Sequence, residues 1–173
     1  FLSVSKNFIP GLYLTKIQNM MNTLNHRGPD AKNYKIDYKN FFGFAHTRLS
    51  IQDLSQHGNQ PMESFSKRHT IVFNGEIYNH LNIRRTIETN YPGLIRWKGT
   101  SDTETLVNAF ELLGIDRLLQ TIKGMFSFAI WDNINSEMYL ARDSMGEKPL
   151  YYGIINSEFA FSSEIIAMSK FFS

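Results

Sequence analysis

The sequence predicts an α+β fold in which antiparallel sheets are covered by helices. Two observations lead to this prediction. The chain passes through strands, then helices, then strands again, and ends in an apolar helix over residues 163–173. In the last third, four strand-like runs follow one another at close spacing, as in an antiparallel meander: residues 125–131, 137–143, 149–155 and 158–163.

The first half of the chain supplies strands and one helix. A short apolar run predicts a strand over residues 1–4, and apolar residues at helical spacing predict a helix over residues 12–25. The Gly-Pro pair within residues 26–30 ends that helix. Residues 41–51 predict a strand that runs into a polar loop, and residues 69–74 predict the next strand.

The middle of the chain is predicted to be helical. A short helix is expected over residues 80–90. A longer helix begins at Ser101, because Ser101 and Glu104 match a capping box. It ends at Gly114, since glycine is the residue that most often ends a helix, and a further short helix is expected over residues 116–122.

The composition is that of an ordinary globular domain. The 173 residues suffice for one domain, which we place over residues 1–173, and 42% of them are hydrophobic. The net charge is only +2 and the basic residues are scattered, so neither nucleic acid nor an anionic membrane is an expected partner. No apolar stretch is long enough to span a membrane.

Cysteine is absent, which excludes a disulfide, a thiolate metal site and a thiol nucleophile within this sequence. The absence of cysteine also fits a reducing compartment, and the cytoplasm is the expected location. The five histidines lack metal-ligand spacing, so we expect no metal site. The first residue is Phe and the terminal helix stops without Gly or Pro, and we therefore expect a piece of a longer protein.

Five polar or glycine positions near the predicted strand and helix ends carry the functional argument: Arg48, Asn74, Gly75, Glu76 and Asp102. Each has a simpler interpretation when taken alone. Arg48 could be a surface cation, and Asn74-Gly75 could form a type I′ turn. Asp102 lies in the first turn of a helix, where a carboxylate offsets the helix dipole.

Taken together, the five positions match the chemistry of an α-amino acid and of acyl transfer. A guanidinium binds a carboxylate through two hydrogen bonds, as Arg48 could. Two carboxylates, Glu76 and Asp102, could surround an ammonium group. The Asn74 amide and the Gly75 N–H could stabilise an oxyanion, and Gly75 lets the backbone approach a reacting carbon because it has no Cβ.

Eight sequence motifs then point to one protein family. In order from His26 to Ile165, they are HRGPD, AHTRLSI, QPM, FNGEIYNH, GTSDTE, GMFSFAIWD, ARDSMGEKPLYY and FSSEI. With these motifs the chain resembles the N-terminal glutaminase domain of class II glutamine amidotransferases, most closely that of asparagine synthetase B and its relatives. The resemblance covers nearly the whole chain.

The resemblance implies an N-terminal nucleophile hydrolase fold, which is a four-layer αββα sandwich of two antiparallel sheets. It also implies that Glu76 and Asp102 bind the α-amino group of glutamine, and that Asn74 and Gly75 form the oxyanion hole. Arg48 is implied to bind the α-carboxylate, with the pocket wall and backbone contacts supplied by Leu49, Ser50, Ile51 and Gln52.

The sequence departs from the family at its beginning. Family members begin with a cysteine whose thiol attacks the glutamine amide, and this sequence contains none. We therefore expect the chain as given to lack the nucleophile and to be inactive in the covalent step. The family's C-terminal synthetase domain, which uses ATP and magnesium, is also missing, so no cofactor is expected in this domain. Arg142, Asp143 and Lys148 are predicted to be structural or interdomain residues.

The leading hypothesis is a glutamine-hydrolysing domain that supplies ammonia to an asparagine-synthetase-like amidotransferase. Its expected partners are glutamine and a synthetase domain of the same polypeptide. Whether the protein forms a homodimer is left open. One alternative is a non-catalytic domain that binds glutamine or serves as a scaffold. Another is an amidotransferase that acts on a sugar acid for surface polysaccharide instead of aspartate.

Overall fold

The computed structural model describes residues 9–50, 53 and 55–172. They divide into two units: a terminal unit drawn from Phe1–Ser50 and Pro149–Ser173, and a central unit drawn from Ile51–Lys148. The strand predicted over residues 1–4 lies outside the described residues. The single domain over residues 1–173 stays a prediction.

The described residues contain four α-helices and eight strands. The helices are α1 (Pro10–Thr23), α2 (His80–Asn90), α3 (Asp102–Thr121) and α4 (Ile165–Phe172). The strands are β1 (Ala31–Asp37), β2 (Phe42–Arg48), β3 (Met62–Glu63), β4 (His69–Ile77), β5 (Gly124–Asp132), β6 (Glu137–Arg142), β7 (Tyr151–Ile155) and β8 (Glu158–Ser162). All strand pairs are antiparallel, which confirms the predicted α+β class.

The terminal unit consists of two hairpins and two helices. β1 pairs with β2, β7 pairs with β8, and α1 packs against both α4 and β2. Pro10 occupies the start of α1, where its missing N–H costs no helical hydrogen bond. Aromatic rings join the elements, because Phe44 of β2 contacts Phe161 of β8 and Tyr13 of α1 contacts Phe171 of α4. β1 was not predicted, since most of its residues are polar and only Tyr34 and Ile36 supply large apolar side chains.

The central unit is a four-stranded sheet in the order β3-β4-β5-β6, with α2 and α3 packed against it. The core lies between the helices and one face of the sheet, and Ile71, Phe128 and Leu106 are among its most buried side chains. α3 is broken at Gly114, which has a φ of 74°. That left-handed conformation suits glycine, and it confirms the predicted helix end and the short helix after it.

The single meander predicted for the last third is wrong. β5 and β6 pair in the central sheet, whereas β7 and β8 pair with each other, and no β6–β7 pair occurs among the described residues. Residues 143–150, which connect β6 to β7, form a loop folded around the Asp143 carboxylate instead of a tight hairpin turn. This carboxylate accepts the backbone N–H groups of Glu147 and Lys148 at 2.9 and 3.0 Å.

No helix in the part of the chain that the structure describes is long and apolar enough to cross a membrane.

Candidate active site

Asn74, Gly75 and Glu76 lie within strand β4, not in a turn. The strand runs from His69 to Ile77 and pairs with β5 along its whole length, with Asn74 opposite Ser127 and Gly75 opposite Phe126. The type I′ turn considered for Asn74-Gly75 is therefore wrong. The pairing with β5 overrides the local turn preference of the Asn-Gly pair.

The two faces of β4 have different surroundings. Ile71, Phe73 and Ile77 belong to the apolar core. Side chains alternate along a strand, so Asn74 and Glu76 both point to the opposite face. The Asn74 Nδ2 atom is buried there without a hydrogen-bond partner among the described residues. Because buried amides almost always find a partner, this donor is suited to bind a ligand atom.

The backbone N–H groups of β4 also alternate. The Tyr78 N–H, just beyond the strand, donates to Lys123 O at 2.8 Å, which is on the β5 side. The N–H groups of Phe73 and Ile77 donate to side chains on the other edge, to Gln60 Oε1 at 2.6 Å and to Asp102 Oδ2 at 2.9 Å. Gly75 lies two residues from both Phe73 and Ile77, so its N–H points to the same edge of β4, away from β5. It lies between two N–H groups that are already bonded.

Phe126 confirms this direction of the Gly75 N–H. The residue lies opposite Gly75, but its N–H donates to Asp143 Oδ2 at 3.2 Å and its carbonyl accepts the Asp143 N–H at 2.8 Å. Phe126 therefore directs its hydrogen bonds away from β4. The Asn74 amide and the Gly75 N–H are thus two donors on adjacent residues: Asn74 Nδ2 has no partner among the described residues, and the Gly75 N–H points away from β5.

Gly75 is required by the close approach of β5. A Cβ at this position would collide with the carbonyl oxygen of Met125 and would lie 2.8 Å from the Cα of Phe126. The sequence suggested that glycine is needed for approach to a reacting carbon. The structure supplies a further reason, which is contact with the neighbouring strand.

Asp102 is the first residue of α3 and is only 6% exposed. Its carboxylate reaches the edge of β4 through the bond to the Ile77 N–H. The predicted capping box is half formed, because Ser101 Oγ accepts the Glu104 N–H at 3.2 Å. The Glu104 carboxylate does not complete the box and instead accepts the N–H groups of Lys98 and Gly99 at 2.7 and 3.0 Å.

The electrostatics of Asp102 link it to Glu76. Burial raises the pKa of Asp102 above its ordinary value, and the nearby Glu76 carboxylate adds to the rise. The N–H groups of Ile77 and Thr103 and the His80 side chain act in the opposite direction but do not cancel it. Glu76 and Asp102 therefore form a pair of carboxylates that a cation would stabilise.

Two residues near this pair were not predicted to belong to the site. His80 begins α2, its Nδ1 atom is buried without a partner among the described residues, and its pKa is lowered, chiefly by burial. Gln60, from the QPM motif, donates through Nε2 to Thr103 Oγ1 at 3.2 Å and so joins the β4 edge to the first turn of α3. Their presence in the motifs was the only sequence signal.

Arg48 lies in the terminal unit as the last residue of β2, and it is buried. The HRGPD motif packs against its backbone. The Asp30 N–H donates to Arg48 O at 3.0 Å, and a Cβ on Gly28 would collide with the backbone of Thr47 and Arg48. The chain after β2 is tied to the same motif, because the Ser50 N–H donates to Asp30 Oδ2 at 2.7 Å.

The other predicted pocket residues follow Arg48 along the chain. Leu49 is 56% exposed. Ile51 and Gln52 lie outside the described residues, so their predicted roles stay predictions. Within the described ranges, no group of three or more His, Cys, Asp or Glu side chains could hold a metal ion.

Arg142, Asp143 and Lys148 hold the loop after β6, as predicted for structural residues. The Arg142 guanidinium donates to Lys148 O at 2.9 Å and to Gly146 O at 2.5 Å. Asp143 accepts N–H groups from both sides of that loop.

Comparison with known proteins identifies the family of this chain. Residues 7–172 match the model of the glutamine amidotransferase domain. The chain is 39% identical over 149 residues to asparagine synthetase (glutamine-hydrolyzing) 2 of Bacillus subtilis, which covers 86% of this chain and 19% of that protein. It is 38% identical over 162 residues to a probable asparagine synthetase (glutamine-hydrolyzing) of Acanthamoeba polyphaga mimivirus, covering 90% and 28%. The chain thus spans less than a third of either relative.

Two solved structures share the fold. The allosteric regulatory enzyme of purine biosynthesis superimposes with a TM-score of 0.75 at 20% identity, covering 91% of this chain and 40% of that one. Glutamine phosphoribosylpyrophosphate amidotransferase from Bacillus subtilis gives a TM-score of 0.72 at 19% identity, with the same coverage. These likenesses show the fold alone, and they agree with the predicted α+β class.

The motif set, the fold and the family match lead to one conclusion: the chain belongs to the glutamine amidotransferase domain family and is similar to the domain found in asparagine synthetases.

Proposed function

We propose that this chain is the glutamine-hydrolysing domain of an asparagine-synthetase-like amidotransferase, and that it supplies ammonia to an ATP-dependent partner domain. One observation carries the proposal. The Asn74 amide nitrogen is a buried donor with no partner among the described residues, next to the outward-directed N–H of Gly75. Such adjacent donors suit an oxyanion that forms only during reaction.

The proposed chemistry is the transfer of the glutamine acyl group to a thiol and then to water. The cysteine thiolate implied by the family resemblance bonds to the amide carbon, and the carbonyl oxygen takes up the displaced electron pair. Asn74 Nδ2 and the Gly75 N–H donate to that oxyanion. The C–N bond then breaks, and the leaving nitrogen departs as ammonia after taking up the proton that the cysteine's α-amino group had removed from the thiol. Water then attacks the thioester, which releases glutamate and regenerates the thiol.

The remaining residues are proposed to select glutamine. Glu76 and Asp102 bind its α-ammonium group, because these two negative carboxylates lie close enough to interact and a cation stabilises both. Arg48 binds the α-carboxylate, and Leu49, Ser50, Ile51 and Gln52 complete the pocket wall. No cofactor is proposed for this domain. ATP and magnesium are assigned to the synthetase domain of the same polypeptide, and the location is proposed to be the cytoplasm.

The proposal is tested by measuring glutamate and ammonia release from glutamine with the full-length protein. Arg48→Ala should raise KM about 30- to 150-fold, because a charge-assisted bidentate contact contributes about 2–3 kcal/mol. Arg85→Ala is the matched control, since Arg85 is exposed on α2 and bonds only weakly to Asn82 at 3.5 Å. An unchanged KM for Arg48→Ala would remove Arg48 from the site.

The same assay distinguishes the alternatives. Full-length protein that binds glutamine without releasing ammonia would favour a non-catalytic binding or scaffolding domain. If ammonia is released, the acceptor is identified by offering aspartate or a sugar acid and analysing which one is amidated. The choice of acceptor is proposed to depend on residues outside this chain.

A further inference from the structure

Arg84 of α2 binds the segment that leads into Asp102. Its Nη1 donates to Gly99 O at 2.8 Å, and its Nη2 donates to Ser101 O at 3.2 Å. Nε and Nη2 also donate to Thr105 Oγ1 at 3.2 and 3.1 Å. The side chain is only 12% exposed. One guanidinium thus bonds to three residues that lie on both sides of Asp102 in the sequence.

Further contacts hold the same segment. The guanidinium carbon of Arg84 lies 4.0 Å from the ring centroid of Trp97, where a cation is attracted to the ring face. Glu104 is 3.6 Å from the guanidinium and accepts the N–H groups of Lys98 and Gly99. The Thr100 N–H donates to the buried Asp53 carboxylate at 3.0 Å. The backbone before Asp102 is therefore fixed at consecutive residues.

Arg84 acts on Asp102 indirectly, because its guanidinium bonds to the Gly99 and Ser101 carbonyls and to Thr105, and lies beside Glu104. Its effect on Asp102 is geometric. The Asp102 carboxylate can bond to the edge of β4 only while the backbone of residues 97–101 keeps its conformation.

Resting on the proposed function, we propose that Arg84 is a positioning residue for recognition of the α-ammonium group of glutamine. By fixing the backbone on both sides of Asp102, the planar fork of Arg84 sets the carboxylate where the ammonium binds. Arg84 thereby determines the preference for an amide substrate that carries an α-amino group. Lysine can replace it only in part, because a single ammonium cannot bond to Gly99, Ser101 and Thr105 with the geometry of the guanidinium.

The test compares two amides with the full-length protein: glutamine and 4-carbamoylbutanoate, which is glutamine without its α-amino group. The measured quantity is the ratio of their kcat/KM values. Because both values scale with the concentration of folded enzyme, the ratio does not change when a variant is merely less stable. A purely structural role of Arg84 would leave it unchanged.

We expect Arg84→Gln to lower the preference for glutamine about tenfold or more, since small displacements of a binding group have effects of this order. Arg84→Lys, which retains the charge and is the safer variant for folding, should lower it by a smaller factor. Arg85→Gln should leave it at the wild-type value, because Arg85 is exposed on the same helix.

Suppose that both Arg84 variants keep the wild-type preference for glutamine and that Asp102→Asn abolishes it. This result would overturn the positioning role of Arg84 and leave the proposed function intact. A preference that Asp102→Asn also leaves unchanged would overturn the ammonium assignment itself, and this inference with it. Wild-type protein that hydrolyses neither amide would overturn the proposed function and this inference together.

Discussion

Two buried aspartates of the central unit have pKa values that are shifted in opposite directions. Asp102 is 6% exposed and Asp143 is 7% exposed, so solvent access does not distinguish them. For Asp143, burial raises the pKa, but N–H groups including those of Lys148 and Glu147 outweigh it and hold the pKa at about 2. For Asp102, burial dominates and the pKa is raised.

The difference lies in the number of donors around each carboxylate. Asp143 accepts hydrogen bonds from Phe126, Glu147 and Lys148, and it serves to fold a loop. Asp102 has fewer donors and a second carboxylate, Glu76, nearby. A structural carboxylate is saturated by the protein itself, whereas a carboxylate that is short of donors is suited to a cationic ligand.

Two asparagine side chains repeat the contrast. Asn108 of α3 accepts the Phe65 N–H at 2.8 Å, so its side chain joins two parts of the unit. Asn74 has a donor without a partner among the described residues. The contrast between saturated and unsaturated polar groups thus separates residues that stabilise the fold from residues proposed to act on substrate.

The largest expected effect is on catalysis by Asn74→Ala. We expect kcat for glutamine hydrolysis to fall about 10²–10³-fold with little change in KM, because the amide meets its partner only when charge develops on the substrate oxygen. The melting temperature should hardly change, since no hydrogen bond of Nδ2 is lost. Asn108→Ala, measured alongside, should show the reverse pattern. A destabilised Asn74→Ala variant with normal kcat would refute the oxyanion assignment.

The next largest effect is expected for Asp102→Asn. KM for glutamine should rise about tenfold to a hundredfold, because a charge-assisted hydrogen bond to the ammonium is lost. Thermal stability at pH 7 should increase, since the folded state no longer buries a carboxylate whose pKa is raised. Calorimetry and steady-state kinetics on the same preparation check both. A loss of stability with unchanged KM would place Asp102 among the structural aspartates.

A third aspartate extends the saturated class. Asp132 is buried, accepts three hydrogen bonds from Arg68 and two from backbone N–H groups, and its pKa is lowered, first by Arg68. Asp132→Asn should reduce the free energy of unfolding by about 1–3 kcal/mol and leave KM and kcat alone. Asp116→Asn, on the exposed part of α3, is the matched control for urea denaturation. Altered glutamine kinetics in Asp132→Asn alone would contradict its structural role.

The smallest effect is expected in the pH dependence of stability. The pKa of Asp143 is lower in the folded state, so its contribution is complete above about pH 4, near the ordinary aspartate pKa, and is lost as the pH falls toward 2. The melting temperature of Asp143→Asn should lie below that of the wild type at pH 5 and approach it near pH 2. The melting temperature of Asp102→Asn should instead lie above that of the wild type at pH 5. Parallel curves for both variants would remove the distinction between the two aspartates.

Sequence patterns were sufficient wherever a structural element depends on neighbouring residues. The spacing of apolar residues predicted α1 and α2 closely, and Gly114 marked the break in α3. Ser101 was correctly expected to cap α3. These features follow from helical periodicity and from the conformational freedom of glycine, which are properties of a short segment. The sequence motifs also contain Asn74 and Asp102, which were predicted as site residues.

The tertiary structure decided what depends on distant parts of the chain. Asn74 and Gly75 form part of a strand because β5, some fifty residues later, pairs with them, although their local preference is for a turn. β6 and β7 pair in different sheets, and the loop between them folds around Asp143.

The same holds for the residues around Asp102. Gln60 and Arg84 acquire their roles by bonding to Thr103 and Thr105, which are far away in sequence. The sequence by itself determined most of the helices and strands of this protein and the chemical types of the proposed site residues. The tertiary structure determined which donors remain unsatisfied, because hydrogen-bond saturation is a property of contacts between distant segments and leaves no periodic signal in the chain.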